Sequence, residues 1–182
     1  MVQDMRLAVD RANRVISELM EFSRPAELSL QLEDFHAIAE HALGLMKFQL
    51  RRKHINVVRK FTEGALVLSL DKNKMEQVLV NLFMNAIQAM SDSGTLTIAT
   101  RPLNPGGGLT VDIEDNGPGM SDENLIKIKQ PYFTTKSAGQ GTGLGLAVCR
   151  NIVKLHGGTL TLGNRPEGGM RATIELNRQL GT

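Results

Sequence analysis

Residues 73–90 read NKMEQVLVNLFMNAIQAM, a stretch without Gly or Pro. Apolar side chains recur in it at helical spacing, which predicts one long helix with a buried face. Asn81 and Asn85 stand four residues apart on this helix and therefore project from the same side. A buried amide without a partner costs roughly 1–3 kcal/mol. The pair therefore predicts either an oxygen site for Mg²⁺ or two satisfied structural amides, and the spacing alone favours neither.

The segments around this helix alternate between short strands and helices. The predicted strands are 55–61, 66–70, 95–101, 109–114, 159–162 and 171–176, and the further predicted helices are 35–50, 122–127 and 143–156. Strands in hairpins mixed with a few helices indicate an α+β fold. We expect a two-layer α/β sandwich, in which a mixed, mainly antiparallel sheet packs on about three helices.

Residues 1–25 predict an additional N-terminal helix, because an apolar stripe runs from Met5 to Phe22 and Pro25 ends the pattern. Such an apolar helix requires a partner helix, a second chain or its own domain, so a homodimer through residues 5–22 is one expectation. The expected organisation is this helix, a linker at 26–34 and the main domain at 35–182.

Composition limits the class of protein. The chain has 182 residues, a hydrophobic content of 41% and a net charge of +2, which suit one ordinary core and do not suggest a nucleic-acid partner. The densest basic cluster, at 51–53 with Arg59 and Lys60, predicts a solvated edge. The single cysteine, Cys149, predicts a small buried side chain and a reducing compartment. No apolar run is long enough for a membrane span. We expect a cytoplasmic domain whose parent protein can be membrane-anchored through other parts.

Three glycine-rich segments are predicted to form turns, and two of them are candidates for binding a ligand. Asp115-Asn116-Gly117-Pro118-Gly119 follows an alternating strand, where a carboxylate can accept a hydrogen bond from an exocyclic amine such as that of adenine. Alone, this pattern is also typical of an ordinary turn, and the turn is favoured. Residues 139–145 read GQGTGLG and open into a helix, which favours a phosphate cradle over a hinge. This stretch matches neither the P-loop nor the dinucleotide fingerprint. Gly168-Gly169 predicts a tight turn.

The segment before the cradle combines two rings, two hydroxyls and a cation. It reads Tyr132-Phe133-Thr134-Thr135-Lys136. A segment of this kind can close as a lid over bound phosphates.

In this order, the motifs resemble those of the two-component sensor histidine kinases, in the superfamily that also contains gyrase and a heat-shock chaperone ATPase. Residues 81–90 resemble the N box and 115–119 the first glycine box. The F box is matched by 131–136, the second glycine box by 141–146, and a trace of the third by Gly168-Gly169. The residues of these motifs are most similar to those of kinases of the nitrogen-regulation type. Residues 1–25 resemble the second helix of the dimerisation hairpin, and 35–182 the ATP-binding catalytic domain.

The resemblance implies an ATP site with Mg²⁺ and a role for each motif. Asn85 would coordinate Mg²⁺ and Asn81 would lie at the phosphates, while Asp115 would bind the adenine amino group beside Gly117 and Gly119. The residues implied at the triphosphate are Gly141, Thr142, Gly143, Leu144 and Gly145, beneath a lid that contains Tyr132, Thr134, Thr135 and the charge-neutralising Lys136.

One substitution separates kinases from hydrolases in this resemblance. The ATP-hydrolysing members carry a Glu that activates water four residues before the metal Asn, whereas this chain carries Asn81, whose amide cannot take the proton. The resemblance therefore implies a protein-histidine kinase, which transfers the γ-phosphoryl group to a histidine for relay to a response-regulator aspartate. Two alternatives stay open: a nucleotide-dependent docking or dimerisation module without catalysis, and a Ser/Thr protein kinase of the anti-sigma type.

The acceptor histidine is expected outside this chain. The family phosphorylates a His that is followed by an acidic residue, and none of the four histidines, His36, His41, His54 and His156, has that context. The acceptor helix of the same or a partner kinase is thus an expected partner, with a response regulator. Two departures predict altered nucleotide binding: Lys129 where a Phe is usual, and Met170 where a Thr often follows the last glycine.

Overall fold

The computed structural model describes residues 27–103, 107–128, 130, 133–134 and 143–177. The N-terminal helix and dimer stretch predicted at 1–25 lie outside these residues. The described elements are β1 (Gln31–Asp34), α1 (Phe35–Leu45), α2 (Lys47–Arg52), β2 (Asn56–Lys60), β3 (Val67–Leu70), α3 (Lys72–Ala89), β4 (Thr95–Leu103), β5 (Gly108–Asp115), α4 (Asp122–Lys127), α5 (Gly145–Leu155), β6 (Thr159–Asn164) and β7 (Met170–Leu176).

The sheet of the described chain has five strands in the order β2-β4-β5-β7-β6. Strand β2 runs parallel to β4, and the other neighbours pair antiparallel. Helices α1, α3 and α5 pack together against the sheet. The predicted α+β, two-layer sandwich with a mixed, mainly antiparallel sheet is therefore confirmed.

Helix α3 lies at the centre of the core. Its buried face is formed by Met75, Val78, Leu79, Leu82, Phe83, Ala86 and Ile87, as the apolar spacing predicts. The Asp71 carboxylate caps its start by accepting a hydrogen bond from the Lys74 N–H at 3.0 Å. At its end the Lys53 ammonium donates to the carbonyls of Ile87 and Met90, at 2.9 and 2.6 Å. Both ends of the helix that carries Asn81 and Asn85 are therefore fixed.

His156 joins α5 to the start of α3. Its ring is 2% exposed, its Nε2 accepts from the Asp71 N–H at 3.0 Å, and its Nδ1 lies 2.8 Å from the Ile152 carbonyl. These two contacts assign the neutral ring with the proton on Nδ1. The expectation that His156 is a structural residue at a helix end agrees with this geometry.

Most predicted elements differ from the structure by one or two residues at their ends, and three differences have an identifiable cause. The single helix predicted at 35–50 is two helices, because Met46 (ψ −1°) leaves the regular α geometry between them. Helix α5 begins at Gly145 and not at 143, because Gly143 has φ +72°, which a right-handed helix does not accept. Strand β1 lies inside the predicted linker, where it pairs antiparallel with β3. Within the described ranges, no helix has the length and hydropathy to cross a membrane.

Candidate functional site

Asp115 is the last residue of β5 and its side chain is almost fully enclosed, with 5% of the residue exposed. Its Oδ1 accepts hydrogen bonds from the backbone N–H groups of Gly117 at 2.9 Å and Met170 at 3.2 Å. Burial raises the pKa of this carboxyl, while the two backbone hydrogen bonds and the charge of Arg165 act in the opposite direction. The carboxylate is thus held in one orientation by donors on one of its oxygens.

The glycines around Asp115 are required by close contacts. A Cβ on Gly117 would lie 2.9 Å from Asp115 Oδ1, and one on Gly169, which has φ +89°, would lie 2.0 Å from the Asp115 carbonyl oxygen. Gly119 has φ +72° and would place a Cβ 2.8 Å from Asn164 Oδ1. A side chain at any of these positions would displace the carboxylate or its loop. The turn at 165–169 is closed by a hydrogen bond from the Arg165 N–H to the Gly169 carbonyl at 2.9 Å, which confirms the predicted tight turn.

Two residues that the sequence analysis missed position the Asp115 loop. The Asn164 amide forms a pair of hydrogen bonds with the backbone of Met120, accepting from its N–H at 2.8 Å and donating to its carbonyl at 2.6 Å. Arg165 Nη1 donates to the Asp115 carbonyl at 2.9 Å, and Arg165 Nε lies 3.4 Å from Glu114 Oε2. No local pattern marks Asn164 or Arg165, because each acts on a segment more than 40 residues away in sequence.

Met170 contacts Asp115 in a way that the sequence does not reveal. The missing Thr hydroxyl at this position predicts altered nucleotide binding, and that effect stays a prediction. The structure shows that residue 170 contacts Asp115 through its backbone N–H, a group that Met and Thr share. The substitution therefore leaves this contact intact.

Asn81 and Asn85 lie half-buried on α3, and the start of α5 lies next to Asn81. A Cβ on Gly145 would lie 4.0 Å from Asn81 Cγ, and the Cys149 thiol, one turn further along α5, donates to the Val78 carbonyl of α3 at 3.8 Å. The residue at the N-terminal cap of α5 is Leu144, whose apolar side chain makes no capping hydrogen bond. The first N–H groups of α5 therefore stand beside the Asn81 face of α3 and are suited to an anion.

Of the remaining predicted site residues, some lie within the described ranges and others do not. Among the described ones, Gly143 has positive φ, Leu144 is 1% exposed, and Thr134 is exposed. Tyr132, Thr135, Lys136, Gly141 and Thr142 lie outside the residues that the structure describes, as does Lys129.

Cys149 is fully buried. Burial raises the pKa of its thiol to about 12, and the hydrogen bond with Asn81 opposes this shift. Such a thiol is inert, in agreement with the expectation that it packs as a small apolar side chain.

The donor set of the site limits the metal chemistry that it supports. Among the described residues, no group of three or more His, Cys, Asp and Glu side chains is placed to hold a metal ion. The α3 amides supply neutral oxygens, which suit Mg²⁺ when most of its shell comes from phosphate oxygens and water. The geometry therefore fits a metal that arrives with a polyphosphate.

Comparisons with known proteins agree with this geometry. Residues 70–180 match the family described as "Histidine kinase-, DNA gyrase B-, and HSP90-like ATPase". The sensor histidine kinase ZraS of Escherichia coli O157:H7 is 36% identical over 97% of this chain, which spans 38% of that protein. The catalytic domain of the histidine kinase ThkA superposes with a TM-score of 0.75 at 29% identity, over 83% of this chain and 97% of that one.

A second ThkA structure, in complex with the response regulator TrrA, matches with a TM-score of 0.80 at 25% identity, over 94% of this chain and 48% of that one. The family match covers more than half of the chain and includes α3, the Asp115 loop and α5. This chain belongs to the family of histidine kinase-, DNA gyrase B- and HSP90-like ATPases.

Proposed function

We propose that this chain is the ATP-binding catalytic domain of a sensor histidine kinase, which transfers the γ-phosphoryl group of Mg·ATP to a histidine outside the chain. The observation that carries the proposal is the buried Asp115 carboxylate, held by two backbone donors on one oxygen. It is supported by the proximity of Asn81 on α3 to Gly145 at the start of α5.

Asp115 would recognise the adenine base. Its Oδ1 holds the Gly117 and Met170 N–H groups, so its Oδ2 would accept the hydrogen bond from the adenine amino group. Gly117 and Gly119 would let the base approach the backbone, and they also leave room for the Asp115 and Asn164 side-chain oxygens, with which a Cβ at either position would collide. This arrangement discriminates adenine from guanine, which carries a carbonyl acceptor where adenine carries its amino donor.

The phosphates would lie between α3 and the start of α5. Gly143, Leu144 and Gly145 would direct backbone N–H groups to the phosphate oxygens, together with Gly141 and Thr142. Asn85 would supply an oxygen to Mg²⁺, which withdraws charge from the transferring phosphoryl group. A lid containing Tyr132, Thr134 and Thr135 would cover the phosphates, and Lys136 would neutralise their charge.

Asn81 favours transfer to a protein over hydrolysis. An amide cannot accept a proton from an attacking water near neutral pH, and Asn81 is engaged with Cys149 beside Gly145. The site would therefore position the phosphoryl group and stabilise its charge, and the acceptor would be a histidine on the dimerisation helix of the same or a partner kinase chain. A response regulator would receive the phosphoryl group next, as the ThkA–TrrA complex suggests by analogy.

The direct test supplies the missing acceptor. The chain would be incubated with Mg²⁺ and γ-labelled ATP, alone and with a separately expressed dimerisation hairpin that carries an acceptor histidine. We expect acid-labile phosphate on the hairpin and none on the chain itself. Asn85→Ala should abolish the labelling, while Gln88→Ala, which removes an exposed amide from the same helix, should retain it.

Other outcomes of the same experiment identify the alternatives. Nucleotide binding without any labelling of the hairpin would support a docking or dimerisation module. Acid-stable phosphate on a protein partner would support a Ser/Thr kinase of the anti-sigma type. Phosphate release at the rate of an ATPase would refute the proposed preference for transfer over hydrolysis. Acid-labile phosphate on the chain alone would refute the claim that the acceptor histidine lies outside it.

Three further features belong to the proposal. We place the domain in the cytoplasm, where ATP is available and where Cys149 would stay reduced. The nitrogen-regulation type of kinase remains a prediction from the motif wording. The assignment of residues 1–25 to a dimerisation hairpin, 26–34 to a linker and 35–182 to the catalytic domain also remains a prediction.

A further inference from the structure

A groove of about 520 Å³ opens between α1, α2 and β2, at the edge of the sheet. Its floor is apolar and includes Leu43, Leu50 and Ile55, which are 4–8% exposed, together with Val57. None of the residues assigned to the nucleotide site lines it. The groove is therefore a separate concave surface of the domain.

The rim of this groove is basic. Lys47, Arg51 and Arg59 line it, against the single carboxylate of Glu40. That carboxylate is already paired with Arg59, whose Nε and Nη2 lie 2.5 and 3.1 Å from its two oxygens. Among the described residues, no ion pair engages Lys47 or Arg51. Two cations at the rim are thus available to an anionic partner.

The basic cluster at 51–53 divides into two roles. Lys53 caps the end of α3 through the Ile87 and Met90 carbonyls, so its ammonium serves the fold. Arg51 lines the groove, whereas its neighbour Arg52 is exposed but does not line it. Of these three adjacent cations, only Arg51 faces the groove.

Gly44 leaves the groove open where the fold does not require a glycine. It lies in α1 and lines the groove, its φ is not in the left-handed region, and a Cβ built on it meets no atom within 4 Å. A glycine inside a helix costs roughly 0.5–1 kcal/mol relative to alanine. Neither the backbone conformation nor the packing around Gly44 requires a glycine. The absence of a side chain there does, however, leave space for a molecule bound in the groove.

An exposed aromatic side chain lies on the same short helix as Arg51. Phe48 of α2 is 69% exposed, although it is not among the residues that line the groove. Exposed aromatic and Arg side chains are both enriched at protein interfaces.

We propose that this groove, formed by α1, α2 and β2, docks an acidic peptide segment of a partner protein. An aliphatic or aromatic side chain of the peptide inserts over Gly44, onto the floor of Leu43, Leu50 and Ile55. Flanking Asp or Glu residues meet Lys47 and Arg51 at the rim. The proposal concerns a surface apart from the nucleotide site and does not depend on the proposed kinase activity.

A peptide fits this surface better than two other anionic partners. Nucleic acid requires an extended basic surface, whereas this floor is apolar and the whole chain carries a net charge of only +2. Insertion into a lipid surface uses apolar side chains that protrude. The groove-lining Leu43, Leu50 and Ile55 are nearly buried, and the exposed Phe48 is not part of the lining.

The test selects peptides without assuming a sequence. A random dodecapeptide display library would be selected against the full 182-residue chain and counter-selected against Gly44→Leu, which adds a branched side chain to the lining of the groove. We expect the surviving peptides to combine Asp or Glu with a central Leu, Ile or Phe. A synthetic copy of the dominant peptide would then be titrated by fluorescence anisotropy.

Two variants and one matched control decide the outcome. Gly44→Leu and Arg51→Glu should each weaken binding of the peptide by about ten-fold or more, while Arg52→Glu, the same charge change on the adjacent residue, should leave it within about two-fold. Thermal melting should show that Gly44→Leu is folded, and Arg51→Glu tests the groove without added volume.

Several results would overturn the proposal. These are the absence of acidic–apolar peptides among those selected, equal binding to Gly44→Leu and wild type, and equal losses in Arg51→Glu and Arg52→Glu. Binding of a DNA duplex or of phosphatidylglycerol vesicles that depends on Arg51, without any selected peptide, would reassign the groove to that partner.

Discussion

Replacing Asp115 by Asn tests the centre of the candidate site without removing its internal hydrogen bonds. In the structure, both backbone donors, Gly117 N–H and Met170 N–H, reach the same oxygen, Oδ1. The amide oxygen of Asn can occupy that place and accept both bonds. Its NH₂ group then takes the position of Oδ2, where the adenine amino group would donate.

The variant is expected to lose affinity for ADP, because the NH₂ group of the new amide and the adenine amino group are both donors and would face each other. The variant loses a hydrogen bond to a charged acceptor, worth about 1.5–3 kcal/mol. The dissociation constant of Mg·ADP should therefore rise by roughly ten- to hundred-fold or more. Asp115→Ala would be a poorer test, because it would also leave the buried Gly117 and Met170 donors without their acceptor.

Isothermal titration calorimetry with ADP and Mg²⁺ measures this loss. The matched control is Asp112→Asn, since Asp112 lies on the same strand, is also nearly buried at 6% exposure, and is bound to Arg101 and Thr173. We expect this control to bind ADP as the wild type does. Equal affinity of wild type and Asp115→Asn would refute the adenine role of Asp115, and no binding by the wild type would favour the docking-module alternative.

The raised pKa of Asp115 gives the same variant a pH signature. Because the folded-state pKa lies above the ordinary value of 3.8, the folded protein keeps this proton while the unfolded chain has released it. The stability of the nucleotide-free protein should therefore fall as pH rises from about 3.8 through the folded pKa. Asp115→Asn should remove this component, which urea unfolding across that range would show. The affinity of the wild type for nucleotide should rise over the same pH range, because binding uses the ionised carboxylate of Asp115.

Three further predictions concern the support of the site. Gly169→Ala should lower the free energy of unfolding by more than about 3 kcal/mol, because the new Cβ would meet a backbone oxygen at 2.0 Å. Gly168→Ala should lower it by only about 1–2 kcal/mol, because a Cβ there meets open space and only the positive φ is unfavourable. Urea unfolding of the two variants measures the difference. His156→Ala should cost roughly 2–4 kcal/mol in thermal or urea unfolding, since two buried hydrogen bonds are broken. Cys149, whose pKa is raised to about 12, should react with Ellman's reagent only at the rate of unfolding, and rapid labelling of the native protein would contradict its burial.

The parts of the fold that sequence could predict are those with local causes. The long helix follows from its own apolar spacing, and the structure buries the predicted side chains, with boundaries shifted by one residue at each end. The strands that flank β5 likewise follow from alternation within each strand. In each case, the signal and the structure lie within the same stretch of residues.

The elements that sequence missed depend on distant partners. Strand β1 has four residues, of which two are exposed, and it exists because Gln31–Asp34 meets Val67–Leu70. Neither its length nor its pattern distinguishes it from a linker. The break at Met46 similarly changes one backbone angle without any Gly or Pro to mark it.

The candidate site shows the same division between local and distant causes. The Asp115 turn could be singled out because its carboxylate and glycines are adjacent in sequence. Of the two donors on the carboxylate, however, only the Gly117 N–H is local, and the Met170 N–H comes from β7. Arg165, which follows β6, holds the Asp115 backbone carbonyl. Met170 illustrates the consequence, because its side chain departs from the family pattern while its backbone supplies the contact. A contact made by the peptide group therefore survives a change of side chain at that position. Gly169 is the opposite case, because a Cβ at this position would collide with the Asp115 carbonyl oxygen. There, the identity of the residue matters because only glycine lacks a Cβ.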